Sequence, residues 1–142
     1  MTGDSQKTAI LRSWVGKADD DFKMANHAFT MGADCPFASL CFHVQQCVEK
    51  YIKTLLVLHE IDFPMTHDIG RLIQLLPVDI SLPIDVSTQE LLANYAVAAR
   101  YPGDDEPVSM AEARRALSVM RKVRKVVRSF LPDAVLRKTK RL

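Results

Sequence analysis

The residues able to do chemistry concentrate on one stretch, Phe42-His43-Val44-Gln45-Gln46-Cys47-Val48-Glu49-Lys50. His43, Gln46 and Lys50 recur at i, i+3 and i+7, so a helix places them on one strip. They combine an imidazole that donates or accepts, an amide that does both, and a cation. That set suits recognition of phosphate or a nucleobase, and it equally suits a seam between helices or subunits. Phe42 shares its strip with Glu49 and Lys53, and an aromatic among polar residues suggests that a second subunit covers that face. His67 lies between Thr66 and Asp68. As a general base it needs a nucleophile or water beside it, and the sequence names none. Arg100 precedes Tyr101-Pro102-Gly103, which sets a fixed cation at a helix end beside a rigid turn; the helix dipole alone favours a cation there.

Two further features break the expected patterning. Asp21 falls in the middle of the apolar stripe marked by Trp14, Ala18, Ala25 and Ala28, where a carboxylate is costly unless paired. Arg100, Tyr101 and Lys50 are its candidate partners, whereas Asp19 and Asp20 point elsewhere and read as solvent-facing. Near the end of the chain, Arg114, Arg121, Lys125 and Arg128 align opposite an apolar face of Ala116, Val119, Met120, Val123, Val127 and Phe130 at about 100° per residue. This basic row, with Arg137, Lys138, Lys140 and Arg141 beyond it, is either a rail for phosphate backbones or a solvated face. No row of aromatic residues interleaves it for base stacking.

These groups need long helices to position them, and helical periodicity dominates the chain. A first helix is expected from about Ser5 or Lys7 to Met31, with Ile10, Leu11, Trp14, Ala18, Phe22, Ala25, Ala28 and Phe29 on its apolar stripe. The second, Pro36 to His59, is the most apolar and therefore central. A short helix, His67 to Leu76, takes Thr66 as its N-cap. Ser87 or Thr88 caps a fourth helix reaching Arg100, with Leu91, Leu92, Tyr95 and Ala99 inward. Ser109 and Glu112 form a capping box for a last long helix ending near Leu131, where Pro132 stops it. The fold class is all-α: an up-and-down bundle of four long helices plus one short one. One domain spans residues 1–142, with its core over about 5–131 and a basic C-terminal tail over 132–142.

Composition narrows the function classes. The chain has 142 residues, 48% hydrophobic and 25% charged, with only 5 Gly. That fits a soluble globular domain rather than a disordered segment or a barrel of short strands. The net charge of +2 hides an asymmetry: residues 114–142 hold 11 bases and one acid, Asp133, while residues 1–113 hold 8 bases and 16 acids. Cys35, Cys41 and Cys47 lack any C-x-x-C pair, so they read as buried free thiols in a reducing compartment and no metal is expected. No signal peptide or membrane span is visible, and a cytoplasmic location follows. Phosphate-binding glycine loops, nucleophile elbows and H-E-x-x-H are all missing, so no cofactor is expected.

Four motifs recur in order: Trp14…Ala18…Asp21-Phe22, then Phe42 to Lys53, then Pro64-Met65-Thr66-His67-Asp68-Ile69…Leu72, then Ala99-Arg100-Tyr101-Pro102. Over about Ser5 to Leu131 this resembles the HEPN family, the higher eukaryotes and prokaryotes nucleotide-binding domain. The resemblance implies a helical bundle similar to the helical domain of the kanamycin nucleotidyltransferase, and a homodimer. It also implies work beside a small separate nucleotidyltransferase, often as a toxin–antitoxin pair. Ribonuclease members carry an arginine followed four to six residues later by a histidine. Here no histidine follows Arg100, so the ribonuclease motif is incomplete and the chain looks more like the non-catalytic branch. The leading expectation is a dimeric module binding nucleotide or RNA phosphate through His43, Gln46, Lys50, His67, Arg100 and Tyr101. Its rivals are an adaptor subunit without a ligand and a ribonuclease using His67 or His43 with Arg100.

Overall fold

Apolar residues at three- and four-residue steps generate helices throughout, and a computed structural model describes residues 3–98 and 107–137. The helices are α1 (Gly3–Phe29), α2 (Phe37–Leu58), α3 (Ile69–Gln74), α4 (Val86–Ala98), α5 (Met110–Phe130) and α6 (Asp133–Leu136). The chain is all-α, a helical bundle with no strand among the described residues. The basic tail from Lys138, the expected end of the fourth helix at Ala99 and Arg100, and the turn expected from Tyr101 lie outside them.

α2 is the axis of the bundle because its apolar side chains reach nearly all round it. Leu40, Val44, Val48, Tyr51, Ile52 and Leu55 are fully buried, packed against α1, α3, α4 and α5. Its end is a left-handed cap built without glycine. Glu60 takes φ 58°, Glu60 N–H donates to Val57 O at 3.1 Å, and Ile61 N–H donates to Leu56 O at 2.9 Å. This reverse-turn closure satisfies the last carbonyls and throws the chain into the stretch leading to His67. After α1, by contrast, Gly32 supplies the positive φ of 64°.

The cap of α5 forms at Ser109, whose hydroxyl accepts from Glu112 N–H at 3.1 Å. Other helix ends differ from expectation. α3 starts at Ile69 rather than His67, because the Asp68 carboxylate, not Thr66, accepts from a helix N–H, that of Arg71 at 3.2 Å. Thr66 instead accepts from Asp68 N–H at 3.1 Å, so His67 stands before the helix. α4 is capped by Asp85, which accepts from Thr88 N–H at 2.8 Å and Ser87 Oγ at 3.0 Å; these bonds lower the Asp85 pKa.

Four packing expectations are corrected. Ile10 is 51% exposed, and Val15 takes the buried place on α1. On α4, Leu91 faces out and Ala96 is buried with Leu92 and Tyr95. Residues past Pro132 do not leave the fold at once: Val135 of α6 is buried and α6 packs on α1. Phe130, placed in the core face by periodicity, is 43% exposed at the end of α5.

Candidate functional site

α2 sits at the centre of the bundle, so its few polar residues must be paired, and three carboxylates do the pairing. Asp21 of α1 is buried. Its Oδ2 accepts from Lys50 Nζ at 2.5 Å, and its Oδ1 lies 2.8 Å from His43 Nδ1. An ionised carboxylate only accepts, so Nδ1 carries a proton and Nε2 is the nitrogen left to face outward. The side chains of His43 and Lys50 are 30% and 24% exposed, which leaves their outer edges accessible to solvent. Lys50, one of the three candidate partners of Asp21, is in place. Arg100 and Tyr101 lie outside the described residues.

Glu49 is a second centre, which the sequence reading placed on an outward strip. It is 3% exposed and accepts from Gln45 Nε2 at 3.0 Å and Lys53 Nζ at 3.1 Å, with His67 Nδ1 at 2.7 Å. Over Glu49 and Lys53 the chain itself covers this face. The loop after α2 brings His67 over Glu49 and Phe63 edge-on to Trp14, at 6.1 Å between ring centroids. Lys53 Nζ lies 6.0 Å and 5.7 Å from the centroids of those two rings. Gln45 Nε2 also reaches His67 O at 3.3 Å, and Gln46 donates to Gln45 Oε1 at 2.7 Å. Gln46, Gln45, Glu49 and His67 therefore form one hydrogen-bonded chain. The half-exposed Phe42 ring packs edge-on against His43 at 5.9 Å.

Asp19 is the third centre, and its expected solvent-facing position is corrected. It accepts from the Tyr51 hydroxyl, from Arg124 Nε at 3.1 Å, and pairs with Arg128 Nη1 at 3.6 Å. Burial and the neighbouring carboxylate push the Tyr51 phenol up, so it stays protonated and donates. Burial disfavours the charge of Arg124, but Tyr51 and Asp19 outweigh it and hold its pKa above the ordinary value. The same burial pushes Cys41 up to about 11 and Cys47 further. Among the described residues no group of three or more His, Cys, Asp or Glu side chains is gathered as a metal site requires.

The basic row on α5 does not stand as one free face. Arg114 lies 5.7 Å from the Phe29 centroid, Arg121 donates to Asn26 Oδ1 at 2.6 Å, and Arg128 turns toward Asp19. Lys125 is exposed. The residues that sequence reasoning undervalued are Asp19, Gln45, Glu49 and Lys53. A usable signal existed for one pair: acid and base four apart on an otherwise apolar helix satisfy each other.

Fold and site together define a small all-α module whose central helix carries a histidine and two lysines held by carboxylates. The family model of the HEPN domain matches residues 11–130, and the chain belongs to the HEPN family. Its structure is similar to that of TT1696 from Thermus thermophilus, with a TM-score of 0.72 and 27% identity over 85% of this chain and 98% of that one. No curated protein matches the sequence. No helix among the described residues is long and apolar enough to cross a membrane.

Proposed function

We propose that the chain is a homodimeric module that binds a nucleotide or RNA through the polar face of α2, working beside a separate nucleotidyltransferase. The observation that carries this reading is the sharing of Asp21 by His43 and Lys50. One buried carboxylate fixes two different hydrogen-bonding groups side by side, with both edges open to solvent. Preorganised donors and acceptors of this kind bind without first losing side-chain entropy. Because Asp21 neutralises Lys50, and Glu49 neutralises Lys53, the face is close to uncharged. It suits hydrogen bonding to a base or sugar edge. Phe42 beside His43 supplies apolar area for a second subunit. Membership of the HEPN family supports the ligand class, and the resemblance to domains that accompany nucleotidyltransferases supports the partner.

Calorimetry with ATP, GTP and a short RNA tests the reading. Binding should weaken at least tenfold in His43→Ala and Lys50→Ala while both variants stay folded. No heat for any ligand at millimolar concentration overturns it.

A second reading, RNA cleavage, draws on a different observation. Both His43 and His67 hold Nδ1 on a carboxylate, which orients an imidazole whose Nε2 can accept a proton. Cleavage unchanged in a His43→Ala, His67→Ala, Arg100→Ala variant rules that reading out.

A further inference from the structure

We infer that the groove between α1, α5 and α6 binds the phosphodiester backbone of a single-stranded nucleic acid, separately from the polar face of α2. Asp19 and Asp21 are two steps apart on α1, hence about 200° apart around it. The pairs they make therefore open on different flanks of the α1–α2 seam. On the Asp19 flank α1, α5 and α6 enclose a cleft of about 920 Å³. Arg12, Lys23, Arg124, Arg128 and Arg137 line it, and among the described residues Asp19 is the one carboxylate that does. A guanidinium has five N–H donors, so Arg124 and Arg128 keep several beyond those directed at Asp19. Arg124 is also held 4.4 Å from the Phe22 ring centroid, which fixes its fork before any ligand arrives. Arg12 Nη2 donates to Arg137 O at 3.0 Å and ties the two walls together. Gly16 adds no side chain to the lining, and open space stands where one would be.

The shape argues for a strand rather than a mononucleotide. The cleft continues into a second hollow of about 590 Å³ that shares Phe22 and Lys23 with it and extends to Asn26, His27 and Thr30. From Ala9 to Thr30 the groove follows α1 for about 31 Å at about 1.5 Å per residue. A nucleotide occupies only a fraction of that length. Among the described residues five cations stand against one acid, the charge that a phosphate backbone neutralises by releasing its counterions. One aromatic ring, already engaged by Arg124, gives little base stacking, so binding is to backbone and largely indifferent to sequence.

The test is fluorescence anisotropy of a labelled single-stranded RNA of about 20 nucleotides across a salt series. Lys23 and Arg137 are exposed, so the Lys23→Glu/Arg137→Glu variant should fold; its melting temperature checks this. Lys23→Gln/Arg137→Gln is the milder second variant. We expect the charge reversal to weaken binding at least tenfold. The slope of log affinity against log salt should fall by about 1.4, at about 0.7 per phosphate contact on a single strand. Lys17→Glu, on exposed α1 surface outside the groove, should bind as the unmodified protein does. Absence of RNA binding, equal binding by the reversed variant, or an equal loss in Lys17→Glu overturns the assignment. An equal loss in His43→Ala moves the strand to α2 and overturns it too, and displacement by equimolar ATP replaces the strand with a nucleotide. Failure of ATP and GTP to bind at α2 leaves this groove untouched, so the two readings fail separately.

Discussion

Asp19 and Asp21, two residues apart on α1, bind opposite flanks of the central helix and its neighbours. Asp19 joins Tyr51 of α2 to Arg124 and Arg128 of α5. Asp21 joins His43 and Lys50 along α2. One turn of α1 thus anchors the α1–α2 seam by charge-assisted bonds, which are stronger than neutral ones. The carboxylate of Asp21 also determines which nitrogen of His43 faces outward. Structural and ligand-facing roles meet in the same atoms, so stability and binding need separate readouts.

Asp21→Ala leaves Lys50 and His43 without their acceptor. Breaking a fully buried ion pair costs about 3–5 kcal/mol. With solvent reaching both partners, a smaller loss of about 2 kcal/mol is expected. Asp21→Asn keeps an acceptor oxygen and should lose less. Urea unfolding measures both, and a double-mutant cycle with Lys50→Ala isolates the pair. An Asp21→Ala variant as stable as the parent means the pair contributes nothing.

Glu49 tests how the loop after α2 is held. Glu49→Ala strands the buried ammonium of Lys53 and removes the anchor of His67, so a loss of about 3–5 kcal/mol is expected. Hydrogen exchange adds a local signature: amides from Ile61 to Asp68 should exchange faster than α1 and α5 at matched global stability. Uniform change across the chain means Glu49 does not anchor the loop.

Much of this fold can be read from residue spacing, and the exceptions share a cause. The periodicity of α1, α2 and α5 and the cap of Ser109 on Glu112 are local patterns, set within one or two turns. Asp21 stood out because a carboxylate interrupts an apolar stripe. Glu49 and Lys53 did not stand out, because helical angle alone puts them beside Phe42 on a polar strip. Only the path of the chain past Glu60 buries them, and helical periodicity does not encode that path. Asp19 escaped notice because its partners on α5 are more than a hundred residues away. Thr66 and Asp68 are both good cap residues at adjacent alternate positions, and propensity cannot choose between them. α6 is one turn long with a single buried valine, too short for a period.

Glu60 offers a stabilising substitution. It holds φ 58°, a left-handed conformation that is unfavourable for a side chain with a Cβ by about 1–2 kcal/mol. Glycine adopts it freely but gives up more unfolded-state entropy. Its other contact, Lys7 Nζ at 3.8 Å from Glu60 Oε1, is an exposed pair worth close to nothing. Glu60→Gly should therefore raise stability by about 0.5–1 kcal/mol, read as a higher urea midpoint at constant m. A lower midpoint means the Lys7 contact or unfolded-state entropy outweighs the strain.

The three thiols are expected to lower stability at alkaline pH. Cys35, Cys41 and Cys47 are buried and free, and burial raises all three, Cys41 from 9.0 to about 11. In the native protein these thiols stay protonated at neutral pH and are shielded from reagent, so Ellman's reagent should modify them only after unfolding. The sign of the pH dependence follows from proton counts. Between pH 9.0 and about 11 the unfolded chain has released the Cys41 proton and the native chain has not. The stabilisation is thus complete below pH 9.0 and is lost as pH rises through about 11. The phenol of Tyr51, raised by burial and by Asp19, acts in the same direction at higher pH. Urea midpoints should be level from pH 7 to about 9 and fall above it. Cys41→Ala and Cys47→Ala should flatten that fall while lowering the plateau through lost packing. An unchanged alkaline slope in both variants assigns the limit to other groups, and rapid modification of the native protein at pH 7 shows that the thiols are not enclosed.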